Sequence, residues 1–474
     1  MSSRLIRQPG LARPATGIVH LGLGAFFRAF GAPWVAEAMA ARGGDWGIAG
    51  VSLQSPATRD ALLPQGWDYT AVEIGPEEEI PRVVSVLNEV LVAREDPAAV
   101  LAAMSAPAVR IVTLTVTEKG YCHSPATGAL NFDHPDIRHD LAQALPRSAP
   151  GFLVRALAAR RRAGLGPFTV LSCDNLPGNG HLARGVVLSL AGALDPGLAD
   201  WIETRGAFPS CMVDRIVPAT GADDLDRLEA ATGLRDEAAV RHEPFRQWVI
   251  EDNFAAGRPD LSAVGVQMVR DVAPWEHMKL RMLNGTHSAL AYLGYLTGHR
   301  TIAETVADPV FERFVTRLWQ AEIIPALKPP PGESLPAYAA ALLERYRNPA
   351  IRHRTAQIAT DGSQKLPQRI LATLRENAAA GRPSPGLTLA VAGWMRFLGG
   401  VDEQGGAIEV RDPLAAELRA LSEGAAGPEA KVAALLSLRA VFSPRDAAML
   451  RPGVTRAHAA LLELGARGAV AALG

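Results

Sequence analysis

Short apolar runs alternate with amphipathic stretches through the first half of the chain, and an unbroken helical period replaces them in the second. Residues 17–21 (GIVHL), 47–53 (GIAGVSL), 110–116 (RIVTLTV) and 168–173 (FTVLSC) are short, apolar and often β-branched, which predicts buried strands. Residues 34–42 and 152–162 read as helices, with Pro33 in the first turn of the former, where a missing N–H is tolerated. Residues 212–217 predict a further strand, with Asp214 in its middle and Pro218 ending it. From about Trp275 the β-branched runs stop and Ala, Leu, Arg and Glu take over. Residues 328–336 and 381–386, rich in Pro and Gly, predict loops between helices. The pattern predicts an α/β domain over residues 1–273 and a mostly α-helical domain over residues 274–474.

Composition narrows the function classes. The 48 basic and 49 acidic residues leave a net charge of −1, so no global basic field exists to hold a nucleic-acid backbone. Cys122, Cys173 and Cys211 are too few and too scattered for a disulfide framework or a zinc pattern. The N-terminal residues lack an apolar targeting core, and no run approaches 18 apolar residues. The expectation is a soluble cytoplasmic protein with no membrane and no nucleic-acid partner. Only five of the 48 basic residues are lysine: Lys119, Lys279, Lys328, Lys365 and Lys431. Lysine loses its proton on burial far more readily than arginine, so each of the five is a candidate for chemistry.

Gly22-Leu23-Gly24 directly follows the first predicted strand. Glycines there permit a tight turn, admit a pyrophosphate to the backbone N–H groups and aim the next helix's N-terminus at it. The third glycine of the usual pattern is replaced by Phe27. Arg28 could meet a phosphate or simply decorate a helix, and an ordinary strand-to-helix turn reads the same way. The acid expected after the second strand is missing, because the chain there reads Gln54-Ser55-Pro56-Ala57-Thr58-Arg59. Nothing at that position repels a 2′-phosphate, so NAD and NADP are both open.

Residues 275–290 are the most informative. At about 100° per residue from Lys279, Glu276 falls near 60°, His287 near 80° and Asn284 near 140°, the same arc as Leu280, Leu283 and Leu290. A surface helix keeps such groups off its apolar face; a cleft wall does not. Oxidising a secondary alcohol needs a base for the hydroxyl proton and donors for the developing alkoxide. A desolvated lysine serves as the first and side-chain amides as the second. Asn175, beyond the end of the 168–173 strand, is a second amide, and Asp214 could orient a ligand or the base. As bland alternatives, His287 is a hydrogen-bonded core residue and Asn175 caps the helix after Gly180. No Tyr-x-x-x-Lys base, Walker loop, nucleophile elbow or Cys/His cluster is present.

Six blocks in order, HLGLGAFFRA (20–29), TVTEKGY (115–121), SCDNLPGNG (172–180), FPSCMVDRIVP (208–218), EPFRQWVIED (243–252) and KLRMLNGTH (279–287), resemble the mannitol dehydrogenase family of polyol-specific long-chain dehydrogenases over nearly the whole length. The resemblance implies a Rossmann-type N-terminal domain, a mostly α-helical C-terminal domain, an active site between them and no metal. It implies Lys279 as general base, Asn175 and Asn284 as the oxyanion site, and His287 on the substrate. Asp214 and Glu276 support substrate binding and proton movement, and Lys365, in DGSQKLPQR (361–369), reaches the substrate's far end. Gly22, Gly24, Ala25, Phe26, Arg28, Thr117 and Glu118 are the implied coenzyme contacts, with NAD the commoner coenzyme and a monomer the expected state.

The family's Phe-His-Arg-Ala-His reads Phe26-Phe27-Arg28-Ala29-Phe30 here, a change expected to alter packing around the phosphates more than chemistry. The implied reaction interconverts a linear polyol and a ketose of the mannitol/fructose kind. The alternative is reduction of the hexuronate fructuronate to mannonate, discriminated by a cation (Lys365 or Arg369) for the terminal carboxylate. A remoter reading is a non-catalytic cofactor-binding sensor.

Overall fold

The computed structural model describes residues 3–7, 13–124 and 127–474, and the chain divides into two compact units, Met1–Ala273 and Pro274–Gly474. The first is built on five parallel strands: β1 (Thr16–Leu21), β2 (Gly47–Ser52), β3 (Leu87–Val92), β4 (Ile111–Leu114) and β5 (Thr169–Ser172), in the order β3-β2-β1-β4-β5. Val19 pairs with Ala49 on one side and Val112 on the other, and Val112 with Val170. Both faces are covered, which is why these strands read as continuous apolar runs rather than as alternations. Val19, Leu21, Val51, Val112 and Val170 point into one core, with Phe152 and Leu157 on it; Ile18, Ile48, Ile111 and Leu171 point into the other, under Phe27, Phe30 and Trp34. This is the Rossmann-type parallel sheet.

The order reverses between β1 and β4, and there the carboxyl ends of adjacent strands lead away in opposite directions and leave a crevice. The helices α1 (Ala25–Ala29) and α2 (Gly31–Arg42) follow β1, with Pro33 in the first turn of α2. The helix α3 (Ala149–Arg162) begins three residues before the apolar period does, because the Ser148 hydroxyl accepts the Gly151 N–H at 3.0 Å as its cap. The helix α4 (Asn179–Leu194) follows β5.

A second small sheet holds β6 (Cys211–Asp214), β7 (Gln247–Glu251) and β8 (Gln267–Val269). Asp214 is the last residue of β6 rather than its middle. Beyond it the Ile216 N–H donates to the Glu243 carboxylate at 2.5 Å and Arg215 turns to the Ala29 carbonyl at 2.8 Å, so the extended run expected to reach Val217 leaves its partner early.

The second unit is helical. Its central rod is not one α-helix: α5 (Ala273–Met278) passes into a π-helical turn, Lys279–Gly285, and then into α6 (Thr286–Leu296). Two more π turns, Leu318–Ile323 and Pro367–Leu371, lie elsewhere in the unit. The loops expected at 328–336 and 381–386 end sooner than their composition implies, at the starts of α7 (Leu335–Arg347) and α9 (Pro385–Phe397), because proline is at home in a first turn. Between them lies α8 (Gly362–Leu366). The Glu322 carboxylate accepts the Gly386 and Leu387 N–H groups at 2.8 Å each and so caps α9 from another element. The long α10 (Pro444–Ala471), broken by a kink at Gly465, closes the unit. Among the described residues no helix is long and apolar enough to cross a membrane.

Candidate active site

In the first unit the predicted residues collect at the carboxyl ends of β1, β4 and β5. Gly22 has φ +90°, and a Cβ there would lie 2.3 Å from the Thr115 carbonyl oxygen, so both conformation and space require glycine. At Gly24 a Cβ would meet nothing nearer than 3.8 Å. The chain's own packing leaves that side of the turn open. Ala25 and Phe26 open α1, whose first N–H groups have no acceptor within the helix. Phe27 stacks on His20 with ring centroids 3.5 Å apart, and Gly31 makes room, since a Cβ there would be 2.4 Å from the Phe27 ring. Phe30 packs on Phe26 and Trp248. Both departures from the family's motif are thus filled by aromatic packing. Arg28 reaches back to the Ala238 carbonyl and, at 3.3 Å, the Gly24 carbonyl, while Tyr69 donates to the Arg28 carbonyl at 2.7 Å.

His20 is fully buried between the Thr113 and Thr115 hydroxyls at 2.8 and 2.9 Å, and burial lowers its pKa to about 3. It is a neutral strut between β1 and β4. Thr117, at φ +63°, and Glu118 form a short turn held by Asp174, which lies in the 172–180 block but is not among the expected site residues. The Asp174 carboxylate accepts the Val116 and Thr117 N–H groups at 3.0 and 2.8 Å and the Tyr121 hydroxyl at 2.7 Å. Its position after β5, next to Asn175, was the available signal. Asn175 itself is exposed, three residues past β5. The N-cap of α4 is Gly178, in the left-handed conformation. Asp214 is buried at the end of β6. Arg59 is taken up by Asp60, at 2.9 Å, and by Glu95. A cavity of about 540 Å3 opens beside Leu53 and Gln54, just past β2, and Ala93 and Arg94, just past β3.

In the second unit Glu276, Lys279, Asn284 and His287 are all buried along the central rod. The helical-wheel angles do not survive, because a π turn inserts a residue and rotates everything beyond it by about 100° relative to an α-helix. The carbonyls it displaces find side-chain donors: Trp319 Nε1 to Met282 O at 2.9 Å, Tyr346 Oη to Leu283 O at 3.0 Å, and Thr286 Oγ1 to Met282 O at 2.5 Å. Gly285 lets the neighbouring π turn close in, since a Cβ would be 2.8 Å from the Arg369 carbonyl. Arg281 leaves the wall in a bidentate pair with Glu376 at 2.6 and 2.7 Å.

Asn284 Nδ2 is a buried donor with no acceptor among the described residues. His287 lies 4.6 Å from the Tyr346 ring and edge-on to His353 at 5.0 Å. Burial, then the neighbouring His353, Arg345 and Arg369, hold its pKa well below the ordinary value, so it is neutral at pH 7. Lys365 donates to the Ile358 carbonyl and the Thr360 hydroxyl, both at 3.2 Å, and burial followed by Arg369 lowers its pKa to about 8.

Residues 16–263 match the mannitol dehydrogenase Rossmann domain and residues 271–460 the mannitol dehydrogenase C-terminal domain. The chain belongs to the mannitol dehydrogenase family. Within this family it is 48% identical to the D-mannonate oxidoreductase of Escherichia coli K12 over 470 residues, covering 98% of this chain and 96% of that one. It is 43% identical to a mannitol 2-dehydrogenase of Phaeosphaeria nodorum over 411 residues, 85% and 72% of the two chains. A ternary complex of Pseudomonas fluorescens mannitol 2-dehydrogenase with NAD and D-mannitol superposes with a TM-score of 0.87 at 35% identity, covering 99% of this chain and 96% of that one. A substrate-free D-sorbitol dehydrogenase does so at 0.89 and 35%, covering 99% and 100%. This mannitol dehydrogenase family member is therefore an oxidoreductase with a Rossmann-type domain.

Proposed function

We propose that this protein transfers hydride reversibly between NAD and a secondary carbinol of an open-chain, six-carbon sugar derivative, with Lys279 as the general base. The observation that carries the reading is the unpaired, buried Asn284 amide donor, five residues along the same π turn from Lys279. A buried donor without an acceptor costs stability unless a ligand supplies one. The developing alkoxide is such an acceptor, and a donor already in place does not have to reorganise to meet it.

The first unit fits the coenzyme. Gly22 makes the turn, the open side at Gly24 admits a pyrophosphate to the first N–H groups of α1, and the cavity past β2 and β3 has room for an adenosine. Gly22, Gly24, Ala25, Phe26, Thr117 and Glu118 would hold it, while Arg28 braces the turn from behind. Bound NAD supplies the two-electron acceptor, C4 of the nicotinamide. In oxidation the hydroxyl proton passes to the Lys279 amine as the carbinol C–H bond breaks, and the O–H bonding pair becomes the second bond of the ketone. Asn284 holds that oxygen, and Asn175 is assigned as its partner amide. Neutral His287 exchanges hydrogen bonds with a neighbouring substrate hydroxyl, and Asp214, Glu276 and Lys365 position the remainder.

The test is absorbance at 340 nm with fructose and fructuronate against NADH and NADPH. Oxidation of NADH by at least one of the two is expected, and Lys279→Ala should lower turnover by about 10²–10⁴-fold while NADH still binds. Tight NADH binding without turnover on either compound would instead favour a non-catalytic sensor.

A further inference from the structure

Arg369 sits in the π turn Pro367–Leu371, and its Nη1 donates to the Asn284 carbonyl at 3.4 Å and the Ser288 hydroxyl at 3.2 Å. Its head thus lies against the helical turn that carries the Asn284 amide and His287. Both partners are neutral. No carboxylate among the described residues pairs with Arg369, whereas Arg281, on the same rod, is fully matched by Glu376. Nε and Nη2 of Arg369 make no hydrogen bond to the described residues, and the side chain is only partly buried.

The surroundings do not supply the missing charge. Lys365, one helical turn earlier, also donates only to neutral oxygens. The acids near it are Asp361 and Asp412, and the Asp412 carboxylate is engaged by the Ser363 N–H and hydroxyl at 2.8 and 2.6 Å. The positive potential registers on other groups: burial, followed by Arg345, Arg369 and Lys365, lowers the pKa of His353 to about 4, and burial lowers that of Arg369 itself to about 10. A partly buried guanidinium with no carboxylate from the chain beside it is left open to an anion, and its planar fork is matched by a carboxylate rather than by a hydroxyl.

We propose that Arg369 is a specificity-determining residue that pairs with a carboxylate of the substrate, which makes the substrate an open-chain sugar acid, a hexuronate and its aldonate, rather than a neutral ketose and polyol. The inference rests on the hydride-transfer reading above and adds to it the substrate class. With the reacting oxygen on the Asn284 amide, the carboxylate at the other end of a six-carbon chain reaches a head within about one helical turn, ~5 Å.

The experiment compares kcat/KM for D-fructuronate and D-fructose with NADH in the wild type, Arg369→Met and Arg369→Lys, with circular dichroism as the check on folding. The wild type should prefer the acid. Arg369→Met should collapse the acid-to-ketose ratio by about 10- to 100-fold, through a higher KM for the acid, and Arg369→Lys should recover part of it. Equal or better use of fructose by the wild type, or an Arg369→Met ratio unchanged because both substrates suffer alike, would overturn the assignment while leaving the hydride-transfer reading intact. Turnover of neither substrate by the wild type would overturn that reading, and this one with it. Should Arg369→Met fail to fold, the wild-type ratio and the Lys variant decide.

Discussion

Asn284 shows how much a single side chain depends on its surroundings. In the sequence it is one amide among several, on a turn rich in leucine. In the structure its Nδ2 is buried without an acceptor, a condition the chain tolerates at a cost. If that donor serves a developing alkoxide, Asn284→Ala should lower kcat far more than it raises KM, by about 2.7–4 kcal/mol of transition-state stabilisation. On the proposed pairing Asn175→Ala should behave alike, and the double variant should lose less than the sum of the two, since donors that serve one oxygen are not independent. Effects confined to KM, or strict additivity, would reduce both residues to cleft lining. Gly22 was legible for the opposite reason: a positive φ and a carbonyl 2.3 Å from the absent Cβ leave only one residue type acceptable. Asp174 was not, because its place after β5 marks it only as near the site, and its task is to hold the backbone N–H groups of a turn 57 and 58 residues away, a partnership that no local pattern announces.

At the scale of elements, the rod from α5 to α6 was predicted as one regular helix, and the π turn in it is what the helical period missed. A π turn is locally unfavourable, and here Trp319, Tyr346 and Thr286 occupy the carbonyls it misaligns. Trp319 and Tyr346 come from 37 and 63 residues away, so no window around Lys279 contains them. Tyr346→Phe removes one of those side-chain donors with almost no change of shape. The change should cost about 1–3 kcal/mol, and lower kcat by misplacing Lys279 and Asn284, with NADH affinity retained. Calorimetry alongside steady-state kinetics would check this; an unshifted Tm and kcat would mean that the turn holds itself. The strands were easier to read, since β1, β2, β4 and β5 are buried on both faces and their apolar runs needed no phase.

At the scale of the whole molecule the buried histidines set the acid limit. Burial lowers His20 to about 3 and His353 and His458 to about 4, and holds His287 well below its ordinary value. The unfolded chain therefore binds protons near pH 6.5 that the native protein refuses, so stability is full above that pH and falls as the pH drops from about 6.5 toward 4. Urea unfolding at pH 7 and pH 5 should show the loss. His458→Leu, which removes a buried ring with no partner for either nitrogen, should reduce it. Equal stability at the two pH values would contradict the assignment.

The sequence alone determined whatever is written in short-range pattern: strands buried on both faces, a glycine turn after the first of them, a helical second half, and six blocks specific enough to point to a family. Those features follow from burial and backbone conformation, which act over a few residues and leave a period or an obligatory glycine behind. The tertiary structure alone decided that Lys279 and Asn284 stand on a π turn, that Asp174 holds the Thr117 turn, that Arg28 and Arg59 are already engaged, and that no carboxylate among the described residues matches Arg369. Each of these is a statement about which distant group meets a charge or a hydrogen-bonding atom. Pairing of that kind is settled by where the chain returns to in space, and residue order carries no period for it.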